Sequence, residues 1–224
     1  MYTVRSYRFG FVRFSMFMLL CTNNLFAETQ IKPVPLQSDV FEHISFSRIK
    51  ANRYTYHDQQ LQIDVDGSAS FLMMPFDTVR QVNKVSFEWR SDGVPHVKDS
   101  LHEKKRGGDD AVFKIGLLLK TENSLPNPFF LSWIKQVDKL LKFPSDHLVY
   151  LVPNAQHPVG EQWENPYNHR ATMISVNSHA EISGWQACSY NFQQPLDVVG
   201  IWLMADGDNT NSSFTSHVKN IRIE

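Results

Sequence analysis

Short apolar segments with a two-residue period dominate this chain from Phe41 onward. Leu61, Ile63 and Val65 alternate with polar residues, and turn-forming residues follow directly. This alternation is typical of a strand with one buried face. The pattern recurs at 85–90, and further apolar segments lie at 112–119, 148–152, 171–176, 198–204 and 218–223. We therefore predict an all-β fold, a sandwich or a barrel, with 112–119 and 198–204 as central strands covered on both faces.

One segment has a helical period instead. Between residues 128 and 142 apolar side chains recur every three or four positions, with Asn127 placed to cap and Pro128 at the first helical position. We predict an inserted amphipathic helix that closes one side or end of the fold. Its polar face carries lysines and an aspartate, so binding to a membrane surface or a partner protein is the alternative.

The pattern of the first 27 residues indicates that this segment is an export signal. Three arginines precede an apolar run that ends at Ala27, and this is the layout of a cleavable signal peptide. An uncleaved anchor or a buried core helix are the alternatives. The apolar run is short for a membrane span, which takes roughly 20 residues. We expect residues 1–27 to be removed and residues 28–224 to form a single periplasmic or secreted domain with no transmembrane span.

Only two cysteines occur in the chain, and one of them lies in the predicted leader. Cys21 follows a leucine rather than the small residue usual before a lipid-attachment cysteine, so we do not expect lipidation. Removal of the leader leaves Cys188 alone, so no intramolecular disulfide can form. We expect Cys188 to be a small buried hydrophobic residue.

Charge and motifs exclude several functions. The net charge of −1 combines a basic leader with a remainder of 19 basic and 23 acidic residues, and no basic surface suggests nucleic-acid binding. The sequence has no nucleophile elbow, no phosphate-binding glycine loop and no dinucleotide fingerprint. The nine histidines are too dispersed for a zinc site.

A run of carboxylates and amides follows the apolar segment 198–204. Asp206, Asp208 and Asn209 offer the oxygen ligands that calcium requires, and we predict a calcium site there. The run is not an EF-hand, because Asn211 occupies the position of the required glycine and His217 that of the required glutamate. The alternative is a loop whose Asp and Asn side chains bond to nearby backbone amides. Apart from this possible calcium, we expect no cofactor.

Other carboxylates and two tryptophans are candidates for ligand binding. Asp109 and Asp110 directly precede the segment 112–119, where they could bind metal or another ligand or act as acid and base. Alternatively, they satisfy backbone donors or pair with an arginine such as Arg90. Glu161 lies beside Trp163 in a predicted long loop over 153–170, and an acid next to an aromatic ring is typical of sugar sites. Trp163 and Trp185 have polar neighbours, so they are the candidates for an exposed stacking surface.

Several of these stretches together resemble a bacterial family of exported proteins known only as a domain of unknown function, number three-zero-four-seven. The resemblance rests on Leu61 to Phe71, Val85 to Arg90, Gly108 to Ala111, Gly184-Trp185 with Tyr190 and Phe192, and Val199 to Met204 with Asp206, Asp208, Asn209 and Thr210. It covers most of residues 41–224 and implies an antiparallel jelly roll similar to galactose-binding-like and carbohydrate-binding modules. The chain departs from the family pattern at Gly207, where a threonine is expected, and in the helical segment 128–142. The resemblance implies no catalytic activity.

From these observations we expect an exported, non-catalytic binding module for a glycan or another envelope component, including an envelope protein. A glycan hydrolase or lyase is the enzymatic alternative, and it would use carboxylates among Asp109, Asp110, Glu161, Glu164, Asp206 and Asp208. A structural partner protein of the envelope is the third hypothesis, with the helix at 128–142 as its interface.

Overall fold

The computed structural model describes residues 33–123, 132–177 and 182–224. Strands account for most of this part of the chain. The elements are, in chain order, β1 (Glu42–Ser45), β2 (Arg53–His57), β3 (Gln60–Asp66), β4 (Ala69–Asp92), α1 (Ser100–Glu103), β5 (Ala111–Leu119), α2 (Ser132–Leu140), β6 (His147–Pro153), β7 (Gln162–Asn165), β8 (Asn168–Asn177), β9 (Gln186–Asp206) and β10 (Ser213–Ile223). The all-β prediction is confirmed, and each predicted strand lies within an observed one.

Two long strands, β4 and β9, connect the two halves of the fold. The first part of β4, Ala69–Pro75, pairs with the end of β9. The last part of β4 pairs with the start of β9, and the register shifts in between. The ten strands form one continuous hydrogen-bonded sheet. We call its two halves the back sheet, ordered β1-β4-β9-β5-β6-β8-β7, and the front sheet, ordered β2-β3-β10-β4-β9. All described pairs are antiparallel except β6 with β8.

The alternating residues build the core between the two sheets. Leu61, Ile63 and Val65 of β3 are buried, and Phe87 and Trp89 of β4 lie in the same cluster. The back sheet contributes further members, among them Ile115, Leu117, Ile201 and Leu203. One apolar cluster that draws on both sheets is the core of a β-sandwich, as predicted.

The other face of the back sheet is also buried. Helix α2 covers part of it through Ile134 and Val137, which pack in one cluster with Trp202 and Leu118. β5 and β9 are therefore covered on both faces, as their continuous apolar sequence predicts. The helix ends at Leu140, two residues before the predicted end at 142, and the predicted start with its caps, Asn127 and Pro128, lies outside the described residues. Among those residues, no helix is long and apolar enough to cross a membrane.

The prediction of a long loop over 153–170 is wrong for the second half of this segment. Residues 162–165 form β7, which pairs antiparallel with β8, and β8 itself begins at Asn168. Trp163 sits in this short strand and faces inward. By contrast, 93–110 contains no strand and only the one-turn helix α1.

Residues 31–224 form one compact unit. The predicted signal peptide and Cys21 lie outside the described residues, so the cleavage after Ala27 stays a prediction.

Candidate functional site

The strand register brings the acidic segments together at one end of the sandwich. β5 runs antiparallel to β9, and Ala111 at its start pairs with Asp206 at the end of β9. Asp109 and Asp110 therefore lie beside Asp206 and the loop that follows it. We call Asp109, Asp110, Asp206 and Asp208 the acidic cluster.

A buried lysine projects into the acidic cluster. Lys114 is the charged residue of the otherwise apolar β5 and is 2% exposed. Its Nζ donates to Asp206 Oδ2 at 2.9 Å and to the Asp109 carbonyl oxygen at 2.8 Å, with Asp109 Oδ2 at 3.9 Å. A buried ammonium needs such partners, because an isolated charge in the interior is costly. Three carboxylates, those of Asp206, Asp109 and Asp110, nevertheless act on this one lysine.

Burial and mutual repulsion disturb the ionisation of this cluster. Burial raises the pKa of Asp206 to about 7, and the carboxylates of Asp110 and Asp208 add to the rise against the opposing effect of Lys114. Burial, together with Asp206 and Asp110, likewise raises the pKa of Asp109 to about 7. Burial alone would lower the pKa of Lys114, but Asp206 and Asp109 outweigh it and raise the value.

The loop after Asp206 is held by Asp110. Asp110 Oδ2 accepts hydrogen bonds from Thr210 N at 2.7 Å and Thr210 Oγ1 at 2.6 Å, and its Oδ1 accepts from Asn209 N at 3.3 Å. A side chain thus accepts hydrogen bonds from the backbone amides of the loop, as in the alternative to a calcium site that the sequence left open. The carboxylate that does so belongs to Asp110 rather than to the loop itself.

Asp110, Asp206 and Asp208 also meet the geometry of a cation site. One carboxylate oxygen from each lies within 4.8 Å of the others. The structure thus brings the predicted ligands Asp206, Asp208 and Asn209 together, and it adds Asp110, a candidate metal ligand that the sequence did not connect with them. All these groups are oxygen donors of the kind that calcium prefers.

A second charged network lies next to the acidic cluster. The His157 ring is buried, with Nδ1 3.0 Å from Glu161 Oε1 and Nε2 3.5 Å from Glu103 Oε2. Trp163 stacks on this ring with 4.1 Å between centroids. Trp163 is only 7% exposed, so the expectation of an exposed stacking surface at this residue is wrong. β7 turns it inward. Glu161 is partly exposed and pairs with Lys104, which lowers the pKa of its carboxyl.

A small cleft opens onto both networks. It has a volume of about 220 Å³ and is lined by Glu103 and Asp110 together with Asn154, Gln156 and Ile182. Of the carboxylates in the enzymatic hypothesis, Asp110 lines this cleft. Asp109, Asp110 and Asp206 are nevertheless at least 94% buried and engaged with Lys114 or with the loop backbone, which is not the arrangement of a solvated acid and base pair.

Trp185 lies elsewhere, on the solvent-facing surface of the front sheet. Lys219 Nζ is 4.0 Å and Arg90 Cζ 5.6 Å from its ring centroids. Because Trp89 and Val218 point into the core, the neighbouring side chains of Arg90 and Lys219 point outward. The structure therefore splits the predicted ligand-binding set, with Trp185 on one surface and Asp109, Asp110 and Glu161 with the buried Trp163 at another.

Charged side chains surround Trp185 in opposite-sign pairs. Glu88 Oε2 is 3.4 Å from Lys219 Nζ, and Asp92 Oδ2 is 3.5 Å from Arg90 Nη1. His217 lies 3.4 Å from Asp92 by its Nε2 atom. We call Trp185, Arg90, Lys219, Glu88, Asp92 and His217 the Trp185 face.

A groove of about 440 Å³ beside β2 was not predicted from the sequence. Phe41, Tyr54 and Tyr56 line it together with His43 and Arg53. The hydroxyl of Tyr54 donates to the Ser70 carbonyl oxygen at 2.6 Å, so this ring is fixed in the wall of the groove.

Comparison with known proteins identifies the family. Residues 39–222 match the family described as "Protein of unknown function (DUF3047)". The chain belongs to this family. No protein of curated function matches it in sequence.

Similar solved structures include carbohydrate-binding modules at low similarity. A mutant of a family 29 carbohydrate-binding module is 11% identical over 86% of this chain and 87% of its own, with a TM-score of 0.34. Another mutant of that module, complexed with mannohexaose, is 11% identical over 86% of each chain, with a TM-score of 0.32. The xyloglucanase domain of NopAA, a type three effector from Sinorhizobium fredii, in complex with cellobiose, is 7% identical over 86% of this chain and 97% of its own, with a TM-score of 0.37.

Proposed function

We propose that this DUF3047 protein is an exported, non-catalytic module that binds a neutral glycan of the bacterial envelope on the Trp185 face. The observation that carries the proposal is a half-buried tryptophan on a sheet surface, held by two cations and surrounded by paired charges.

Trp185 supplies the apolar part of such a site. The ammonium of Lys219 and the guanidinium of Arg90 attract the face of an aromatic ring, and this restrains the ring on the sheet surface. A restrained ring is a good anchor, because little side-chain entropy remains to be lost when a ligand stacks on it. The apolar face of a sugar ring fits this surface.

The surrounding charges favour an uncharged polar ligand. Each cation of the Trp185 face has an acidic partner within 3.5 Å, so the surface offers donors and acceptors without a large excess of either sign. Sugar hydroxyl groups can both donate and accept, and they match such a surface. A polyanion such as nucleic acid would instead require a basic stripe.

The other two hypotheses have less support in the described structure. An enzyme would require accessible carboxylates, and those near the cleft are mostly buried. A helix-mediated structural partner would require an exposed apolar face on α2, and Ile134 and Val137 of that face are packed on the back sheet.

The test is binding of soluble oligosaccharides and polysaccharides to the purified protein. Mannohexaose, cellohexaose and peptidoglycan fragments serve as neutral or nearly neutral probes, and alginate as an acidic one, in calorimetric titration and affinity gel electrophoresis. We expect Trp185→Ala to weaken binding of the active glycan at least about tenfold, since truncation of an aromatic anchor in a binding site commonly costs about 2 kcal/mol or more.

Two variants serve as controls. Trp185→Phe keeps a ring and should retain part of the affinity. Leu101→Ala removes an apolar side chain that is 70% exposed on α1 and should leave the affinity unchanged. Failure of every neutral probe to bind, or equal affinity of Trp185→Ala and the parent protein, would contradict the proposal.

A further inference from the structure

We infer that the acidic cluster and Asn209 form a calcium site that fastens the 206–212 loop to the start of β5. The site does not depend on glycan binding. Asp110, Asp206 and Asp208 supply carboxylate oxygens and Asn209 supplies its side-chain oxygen.

An unpartnered buried oxygen indicates that this cluster binds a cation. Asp206 is 97% buried, and its Oδ2 is bonded to Lys114. Its Oδ1 has no hydrogen-bond partner in the described part of the chain. A buried carboxylate oxygen without a donor costs free energy, whereas a bound cation would satisfy it.

The Asn209 amide gives a second, independent indication. Its Nδ2 lies 3.2 Å from one carboxylate oxygen each of Asp109, Asp110 and Asp208. An amide nitrogen carries two hydrogens, so it cannot donate to three carboxylates at once. The three carboxylate oxygens therefore enclose a position that favours a positive charge over a neutral amide.

Tyr167 shows the same imbalance on the other side of this amide. Its hydroxyl has one hydrogen, and two acceptors lie within bonding distance, Asn209 Oδ1 at 2.7 Å and the Arg106 carbonyl oxygen. If the amide turns over, its nitrogen donates to the Tyr167 oxygen and the hydroxyl donates to Arg106 alone. Asn209 Oδ1 then faces the carboxylates. This orientation leaves the Tyr167 hydroxyl with a single acceptor and turns an amide oxygen, instead of a nitrogen, toward the cation.

The ligand count and access fit calcium. Calcium takes six to eight oxygen ligands with flexible geometry. The three carboxylates and one amide oxygen supply at least four, and Asp109 Oδ1 borders the same space. Asp208 and Asn209 are half-buried, so water can complete the shell from that side.

The test is thermal unfolding and calorimetric titration of protein stripped with a chelator. Calcium at about a hundred times its Kd should raise Tm by about 5–10 °C, as expected for a ligand that binds only the folded chain of this size. Magnesium should give a clearly smaller shift. No shift and no heat with calcium, or an equal shift with magnesium, would overturn the assignment.

Three variants separate cation binding from folding. Asp208→Ala removes a half-buried ligand and should abolish the calcium shift while leaving Tm in chelator nearly unchanged. Asp77→Ala is its matched control, because this carboxylate is 89% exposed and pairs with Lys142, so its calcium shift should equal that of the parent. Asn209→Asp should lower Tm in chelator and enlarge the calcium shift. If the Asp208→Ala shift matches the Asp77→Ala shift, the site is not there.

Discussion

Glu103 is a buried acid whose environment disfavours its charge. It is 4% exposed, and its Oε2 accepts a hydrogen bond from Gln156 N at 2.8 Å. Burial raises the pKa of this carboxyl to about 7, despite that hydrogen bond and the nearby Lys114. His157, Asp109 and Glu161 are the other titratable groups that influence it or lie close to it.

This shift predicts a pH-dependent effect of Glu103→Gln. The folded-state pKa lies above the ordinary value of 4.5. At a pH between these two values, the folded chain therefore binds more protons than the unfolded chain does. The stability that the protonated carboxyl contributes is therefore complete below 4.5 and is lost as the pH rises through about 7. Glutamine is never charged, so the variant should gain about 2–3 kcal/mol in free energy of unfolding, relative to the parent, between about pH 5 and pH 8.

Urea unfolding of both proteins in chelator at the two pH values measures this difference. In the difference between the two free energies of unfolding, the contributions of titratable groups that both proteins share cancel. A stability difference that stays constant with pH would mean that Glu103 titrates in its ordinary range.

Individual site residues were only partly predictable from the sequence. The acidic and amide character of 206–209 indicated an oxygen-rich site, because side-chain chemistry is visible in the sequence. Trp163 and Trp185 both have polar neighbours and are indistinguishable on that basis. The fold separates them, since β7 turns Trp163 onto His157 and the front sheet leaves Trp185 half-buried.

At the scale of elements, the central strands β5 and β9 approach each other closely at Gly116 of β5, which pairs with Trp202. A Cβ atom added there would stand 2.0 Å from Trp202 Nε1 and 2.2 Å from its Cδ1. Trp202 is 3% exposed and is confined by Phe71 and Tyr150, with ring centroids 4.5 Å and 5.3 Å away. Glycine is required at this position because the indole lies across the neighbouring strand.

Gly116→Ala should therefore destabilise the protein by about 1–3 kcal/mol, the usual cost of overpacking a core. Gly107→Ala is the control, because no other atom would lie within 4 Å of the added carbon and the change should stay within about 0.5 kcal/mol. In the background of Trp202→Phe, which removes part of the indole, Gly116→Ala should cost less. Chemical unfolding of Gly116→Ala, Gly107→Ala, Trp202→Phe and the double variant measures these losses of stability. If Gly116→Ala costs the same with and without Trp202→Phe, the added methyl group does not clash with the indole.

Elements were predictable where burial imposes a period on the sequence. The alternation in β3 and the continuous apolar runs of β5 and β9 gave correct strands. β1, β2 and β7 have four or five residues each and escaped detection, because so short a segment hardly defines a period. The length of β4 was also missed, since its pairing with β9 is irregular between Pro75 and Arg80.

At the scale of the whole molecule, the site depends on register, which local sequence does not encode. Asp110 and Asp206 are 96 positions apart, yet the pairing of Ala111 with Asp206 places them side by side. Register is set by which faces of β5 and β9 are buried and by the bulges between their pairs. The sequence could therefore indicate the acidic segments but not that they meet.

The reactivity and the number of the protein's thiols test both the fold and the predicted export. Cys188 is 4% exposed, its Sγ accepts a hydrogen bond from Trp89 Nε1 at 3.2 Å, and burial raises the pKa of the thiol to about 11. A buried thiol that is hardly ionised at neutral pH reacts slowly, because the thiolate is the nucleophile. We predict that the exported protein shows no thiol reactive toward Ellman's reagent until it is unfolded.

After unfolding, the count of thiols reports on the leader. The full chain has two cysteines, and removal of residues 1–27 leaves one. Protein recovered from the periplasm or medium of an expressing bacterium should begin at Glu28 by intact mass and titrate as a single thiol in denaturant. Two thiols would mean that the leader is retained, and a lipid-modified Cys21 at the amino terminus would contradict cleavage after Ala27. A thiol that reacts at once in the native protein would instead contradict the packing of Cys188 against Trp89, whatever the fate of the leader.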